Sequence, residues 1–216
     1  MNVRISQLDY DNDEYFFGRC YAKDDFSWMY IPIEKNVTKV IRSMLIPHGF
    51  CEYNFHELKK YNTPALVILR DPVERWVSGV VEYLALVYLD TKQSLTNLVR
   101  HSITPEKVFE QIVFDAHTYP QTWFLTELTQ CEYIWFDEHE KSHFIDTMSK
   151  YLAHKGVAHT WTNKNYPYIP DGNINLKKEL TQEYTNLLQA NLELMQKVKD
   201  FYVHDYELIN SVKFYT

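Results

Sequence analysis

The stretch "ALVILRDPVERWVSGVVEYL", residues 65 to 84, constrains this chain more than any other. Ala65 to Leu69 are wholly apolar and stop on Arg70. A short, uniformly apolar run of this kind reads as a strand buried on both faces of a parallel sheet. Asp71 is placed to cap a helix and Pro72 suits its first position. The chain therefore passes from buried strand to helix with almost no linker. Such a unit needs helices against a sheet, which is an α/β domain.

The rest of the sequence repeats the theme. "SWMYIPI", residues 27 to 33, reads as a strand, and Val37, Val40, Ile41 and Leu45 then recur at helical spacing before a Pro-His-Gly stop. "CEYIWFDE", residues 131 to 138, reads as a third strand, followed by a helix ended by Gly156. Helices are expected over 95 to 101 and over 105 to 114, the second capped by Thr104. "TWTNKNYPYIPDGN" reads as a loop, and a helical stretch capped by Thr181 runs to about Ile209. Residues 1 to 25 form an irregular or short-stranded lead-in. The expectation is a single domain over residues 1 to 216: a three-layer, P-loop-like α/β fold with a central parallel sheet flanked by helices.

Composition narrows the function. The net charge is -7 and no Lys/Arg block occurs, which argues against a nucleic-acid protein working by overall charge. A local basic pocket remains compatible with an acidic chain. Three scattered cysteines without a Cys-x-x-Cys pair give neither a disulfide framework nor a metal site. The start of the chain lacks the apolar core of a signal peptide, and no apolar run has membrane-spanning length. The expectation is a soluble, cytoplasmic protein without membrane or nucleic-acid partners.

Two strand-to-helix junctions carry unusual chemistry, and in this architecture ligands sit at the carboxyl ends of the strands. In "YIPIEKNVTKVIR" a turn of Glu34, Lys35, Asn36 and Val37 leads into a helix starting with Thr38 and Lys39. Free amides at a helix start, a mobile ammonium and a hydroxyl make up a phosphate cradle. It is not a Walker A loop. At the second junction Arg70 ends the strand, and Arg75 and Ser78 follow on the helix; a guanidinium matches phosphate oxygens bidentately. Taken singly, a lysine in a turn is a solvated charge and Arg-Asp-Pro a capped helix start. Together they point to a nucleotide with phosphates at two places on its ribose.

At these residues the chain resembles the sulfotransferases that use 3′-phosphoadenosine 5′-phosphosulfate (PAPS). "RDPVERWVS" matches at every fixed position the family element Arg-Asp-Pro-x-x-Arg-x-x-Ser, which binds the 3′-phosphate. "IPIEKNVTKVIR" stands for the loop that binds the 5′-phosphosulfate, with Ile33 and Glu34 between proline and lysine, and Val37 where glycine or alanine is usual. "DAHTYPQTWFL" resembles the Asp-x-His-x-x-Pro-Gln segment of carbohydrate sulfotransferases, and "VHDYELI" their closing helix.

The resemblance implies transfer of a sulfuryl group from PAPS to a hydroxyl, less readily an amine, of a carbohydrate or small hydroxyl compound. It leaves adenosine 3′,5′-bisphosphate and needs no metal. It places Lys35 on the bridging oxygen and leaving phosphate, Asn36, Val37, Thr38 and Lys39 around the phosphosulfate, and Arg70 and Ser78 on the 3′-phosphate. Arg75 either assists or pairs with a carboxylate, and Lys164 reaches the 3′-phosphate from above. His117 is the candidate general base, with Glu34 its rival. Trp76, Trp161 and Tyr166 are candidate walls for adenine, and the region from Tyr83 to His117 for the acceptor pocket. A P-loop small-molecule kinase using Asp137 and Glu138 for magnesium is the alternative reading, and a non-catalytic nucleotide-binding module the third.

Overall fold

The computed structural model describes residues 18–91, 105–157 and 174–216. The helix expected over 95 to 101 and the loop with Trp161, Asn163, Lys164 and Tyr166 lie outside them.

Five strands form one open sheet in the order β3-β1-β2-β4-β5. They are β1 (Arg19–Ala22), β2 (Met29–Ile31), β3 (Cys51–Asn54), β4 (Ala65–Arg70) and β5 (Cys131–Phe136). β4 lies parallel to β2 on one side and to β5 on the other, and its six residues are all buried. The expected central parallel sheet is found over β2, β4 and β5, but it does not extend to the whole sheet. β1 pairs antiparallel with both β2 and β3, so the sheet is mixed. Because β1 is reversed against both neighbours, β3 runs in the same direction as β2, β4 and β5. Four carboxyl ends therefore share one edge of the sheet. The lead-in also contributes structure: Arg19–Ala22 is a buried strand.

Both faces of the sheet are covered. On one, Leu66, Ile68, Ile134 and Phe136 meet α1 (Thr38–Leu45) and α5 (Lys141–His154) through Ile41, Met44, Phe144 and Met148. On the other, Ala65, Val67 and Leu69 pack with Ile33, Tyr119, Phe124 and Phe55, the first residue of α2 (Phe55–Leu58). Burying a side chain of the Leu or Phe class contributes about 1.5–3 kcal/mol, so these two layers fix the sheet and its edge.

α3 (Pro72–Thr91) starts as the sequence predicts: the Glu74 N–H donates to Asp71 Oδ1 at 2.9 Å. It buries Trp76, Val80 and Leu84 against α4 (Pro105–Gln111), α6 (Ile174–Ala190) and α7 (Leu192–Phe201). Trp76 is fully buried and its indole donates to Ile112 O at 2.8 Å, so it is core and not an adenine wall. Thr181 caps nothing. It sits inside α6, where its hydroxyl donates back to Lys177 O at 2.7 Å. The closing stretch is divided into α6, α7 and α8 (Val203–Ser211), with Asn191 accepting from the Glu193 and Leu194 amides at the start of α7. Among the described residues, no helix is long and apolar enough to cross a membrane.

Candidate functional site

β2 and β4 are neighbours, so the loops leaving their carboxyl ends meet. Arg70 Nη1 donates to the carbonyl of Lys35 at 3.2 Å, joining the two junctions directly. In the first loop Lys35 and Val37 both hold positive φ, 67° and 53°. Val37 caps α1 through its backbone alone, a position usually given to glycine. The amides of Thr38 and Lys39 open the helix, where no intrahelical carbonyl can receive them.

Other groups of this loop turn inward. Asn36 is fully buried and donates from Nδ2 to Ile68 O at 2.7 Å and to Gln121 Oε1 at 2.6 Å. The Thr38 hydroxyl donates to Ile33 O at 2.6 Å. Both side chains brace the loop in this conformation; neither presents a donor outward. Glu34 is tied to Arg19 at 2.6 Å, and its carbonyl accepts from Arg75 Nε at 2.9 Å. That carboxylate is committed to Arg19, which weighs against Glu34 as base. Lys39 is exposed on the first turn of α1.

Lys35 is the centre of a charge cluster. Its Nζ lies 2.9 Å from Glu82 Oε2 on α3, and Lys177 Nζ of α6 lies 2.7 Å from the same oxygen. Burial would raise the carboxyl pKa of Glu82, yet the two ammoniums hold it down at about 2. Lys35 goes the other way: burial pulls its ammonium below the ordinary lysine value, Glu82 opposes this, and Lys177 and Lys39 add to it. Two donors reach the Glu82 carboxylate, whereas Lys35 shares its one acceptor with Lys177. Two lysines, Lys35 and Lys177, thus close on one buried carboxylate with Lys39 near Lys35, and the cluster is cationic within an acidic chain.

At the second junction the two arginines part. Arg75 is fully buried, and its guanidinium donates to the carbonyls of Glu34, Tyr119 and Ala116, with Phe124 facing it at 5.8 Å. That is a scaffold role. Arg70 is buried too, but its Nη2 reaches carboxylates at the rim, Glu138 at 2.9 Å and Glu74 at 3.4 Å. Its Nε is buried without a hydrogen-bond partner. An incomplete guanidinium whose partners are half-exposed acids can exchange them for an incoming anion. Ser78 is half-buried on α3, one turn before Glu82 on the same helix face, with no hydrogen bond among the described residues. Glu138, the acid at the end of β5, is engaged by Arg70. Among the described residues, no group of three or more His, Cys, Asp or Glu could hold a metal ion.

The third part is the turn from Asp115 to Thr118. The segment is not helical, so residues two apart can meet: Asp115 accepts the His117 amide on Oδ1 and the His117 ring Nδ1 on Oδ2, both at 2.9 Å. With Nδ1 donating to a carboxylate, Nε2 carries the lone pair. The turn packs on α3 at Gly79, where an added Cβ would stand 2.2 Å from His117 O. Only glycine allows that approach. Immediately after it, Gln121 binds both backbone groups of Arg70 and also Asn36. Buried Asp205 of α8 accepts the amides of Gln121 and Thr122 at 2.8 and 2.9 Å. The closing helix therefore steadies β4, the lysine loop and the histidine turn together.

The structure brings Lys35, Arg70, Lys39 and Ser78 to one edge and His117 against the same helix. Sequence reasoning missed Glu82, Lys177 and Asp205. Glu82 left a signal, a lone acid inside the apolar run Val80-Val81-Glu82-Tyr83-Leu84; Lys177 left none. Compared with family models, with curated proteins and with solved structures, the chain gives no significant match in any of the three.

Proposed function

We propose that this chain is a PAPS-dependent sulfotransferase on a three-layer, P-loop-like α/β architecture, acting on a hydroxyl of a carbohydrate or small compound. One observation carries the reading. Two basic positions adjoin at the carboxyl ends of neighbouring parallel strands: the Lys35–Lys177–Lys39 cluster at one, and the incompletely bonded Arg70 at the other. Their donor chemistry fits a doubly phosphorylated nucleotide: ammoniums, a guanidinium and free helix-start amides, all suited to anionic oxygens.

Bound there, the cofactor supplies an activated sulfuryl group whose sulfur–oxygen bond to the 5′-phosphate breaks as the acceptor oxygen bonds to sulfur. Lys35 and the amides of Thr38 and Lys39 hold the 5′ end. Lys35 meets the negative charge that grows on the departing phosphate oxygen, a demand shared with phosphoryl transfer. Arg70 releases Glu138 and holds the 3′-phosphate, with Ser78 beside it. His117 Nε2 accepts the acceptor's proton, while Asp115 keeps the ring in the required tautomer and orientation.

The test is incubation of purified protein with sulfur-labelled PAPS and pooled glycans, lipids and small alcohols, without added metal. Transfer of label, reduced by about 100-fold or more in His117→Ala, is expected from removal of a general base. Label that stays on the nucleotide with every acceptor class, or activity indifferent to Lys35→Ala, contradicts the proposal.

A further inference from the structure

Glu82 is an acid set into a core helix. Its neighbours on α3, Val80, Val81, Tyr83 and Leu84, are all buried, and so is Glu82 itself. A buried ion pair is often no more stabilising than apolar packing of the same volume. Stability alone therefore does not account for an acid here. Glu82 also follows Ser78 by one turn on the same helix face, so its carboxylate lies toward the candidate site. It is not a proton acceptor, because two ammoniums hold its carboxyl at about 2.

The bonds in this cluster are unequal. Lys35 Nζ and Lys177 Nζ donate to the same oxygen, Glu82 Oε2, at 2.9 and 2.7 Å. The Lys35 ammonium has no second acceptor among the described residues. It stands on the loop that leaves β2, beside the helix-start amides of Thr38 and Lys39. If Lys35 turns to another anion, Lys177 still covers Glu82, and no charge is stranded in the core. Lys35 has no such cover. Without Glu82 it is a nearly buried ammonium, and burial already pulls it below the ordinary lysine value. The other charged groups around it are Lys39 of α1, Lys177 of α6 and Arg70 of β4, all cations, while Glu34 is engaged by Arg19.

We propose that Glu82 is a positioning residue: it keeps the Lys35 ammonium charged and in place while the site is empty, and yields it to an arriving phosphate oxygen. Binding is then an exchange of one anion for another on Lys35, with Lys177 left on the carboxylate. The lysine arrives at the phosphate already protonated, which is the form that can meet growing negative charge. That the oxygen belongs to the cofactor's 5′ end rests on the transfer proposed above; the exchange itself does not.

The test is calorimetric titration of adenosine 3′,5′-bisphosphate and of inorganic pyrophosphate into wild type, Glu82→Gln, Lys35→Ala and the double variant, with folding checked by circular dichroism. At about pH 6.5, Glu82→Gln should bind either ligand about tenfold tighter than wild type, as for removal of a close competing charge. In the Lys35→Ala background the same substitution should change affinity by less than about threefold, because no ammonium is left to compete for. Raising the pH to about 8.5 should weaken Glu82→Gln by about tenfold and wild type by less than about threefold. The sign follows from the proton: without its carboxylate Lys35 loses it in the empty site and must regain it on binding. Titration in buffers of different ionisation heat counts that proton on wild type itself, where uptake at about pH 8.5 should be near zero. Equal effects of Glu82→Gln with and without Lys35, parallel pH profiles, or uptake of a whole proton by wild type overturn the inference. The coupling seen with pyrophosphate, and bisphosphate bound no tighter than pyrophosphate, keeps the exchange and removes the nucleotide reading. Tight bisphosphate binding without the coupling does the reverse, and no binding of either ligand overturns both.

Discussion

The two strand-to-helix junctions start alike and end differently. Both leave the carboxyl end of a parallel strand and both carry basic residues, yet the charge at the β4–α3 junction is divided between two arginines with separate work. Arg75 is enclosed by backbone carbonyls and cannot leave them. Arg70 pairs with acids at the rim that water can reach. At the β2–α1 junction the side chains of Asn36 and Thr38 take the enclosed role, and only Lys35, Lys39 and backbone amides are left to face an anion. A binding motif is thus partly scaffold, and residue type alone does not say which part.

This contrast can be broken by mutation. Arg75→Ala strands three carbonyls in the core and should destabilise the fold by about 4 kcal/mol, read as a denaturant midpoint shift. A loss under about 1 kcal/mol would deny its scaffold role. Next in size, Gly79→Ala pushes α3 off His117 O and should cost about 3 kcal/mol while lowering any transfer activity. Glu82→Gln leaves Lys35 and Lys177 facing each other without their anion and should cost about 2 kcal/mol, reduced from the fully buried case because the pair is partly wet.

The same carboxylate gives a pH signature. Its folded pKa of about 2 lies below the ordinary 4.5, so its contribution is complete above pH 4.5 and is lost as pH falls toward 2. In wild type, stability should decline through that window; in Glu82→Gln the decline should be shallower, as followed by acid titration of circular dichroism. Smallest of all, Thr38→Val removes the bond to Ile33 O and the long contact from the Tyr30 hydroxyl, and should cost about 1 kcal/mol. Bisphosphate affinity should stay nearly unchanged. A large affinity loss there would return the Thr38 hydroxyl to the binding surface.

Much of the fold was legible because local signals agreed with it. The apolar run of β4, the Asp71 cap and Gly156 at φ 72° each lie where the sequence put them. What escaped depended on distant partners. β3 is short and largely exposed, with nothing in "CEYN" to mark it. Thr181 looked like a cap because caps are local, but α6 begins seven residues earlier at Ile174. Within the site, Lys35 and Arg70 could be placed by the rule for strand ends. The meeting of Glu82 with Lys177, 95 positions apart, could not.

The most direct test of the account is calorimetric titration of adenosine 3′,5′-bisphosphate into wild type, Arg70→Ala and Lys35→Ala, without magnesium. Wild type should bind, and Arg70→Ala should weaken binding by about 100-fold, as for loss of a charge-assisted bidentate contact. No binding by wild type, binding only of ATP with magnesium, or indifference to Arg70→Ala would contradict the assignment of this edge as a two-phosphate site.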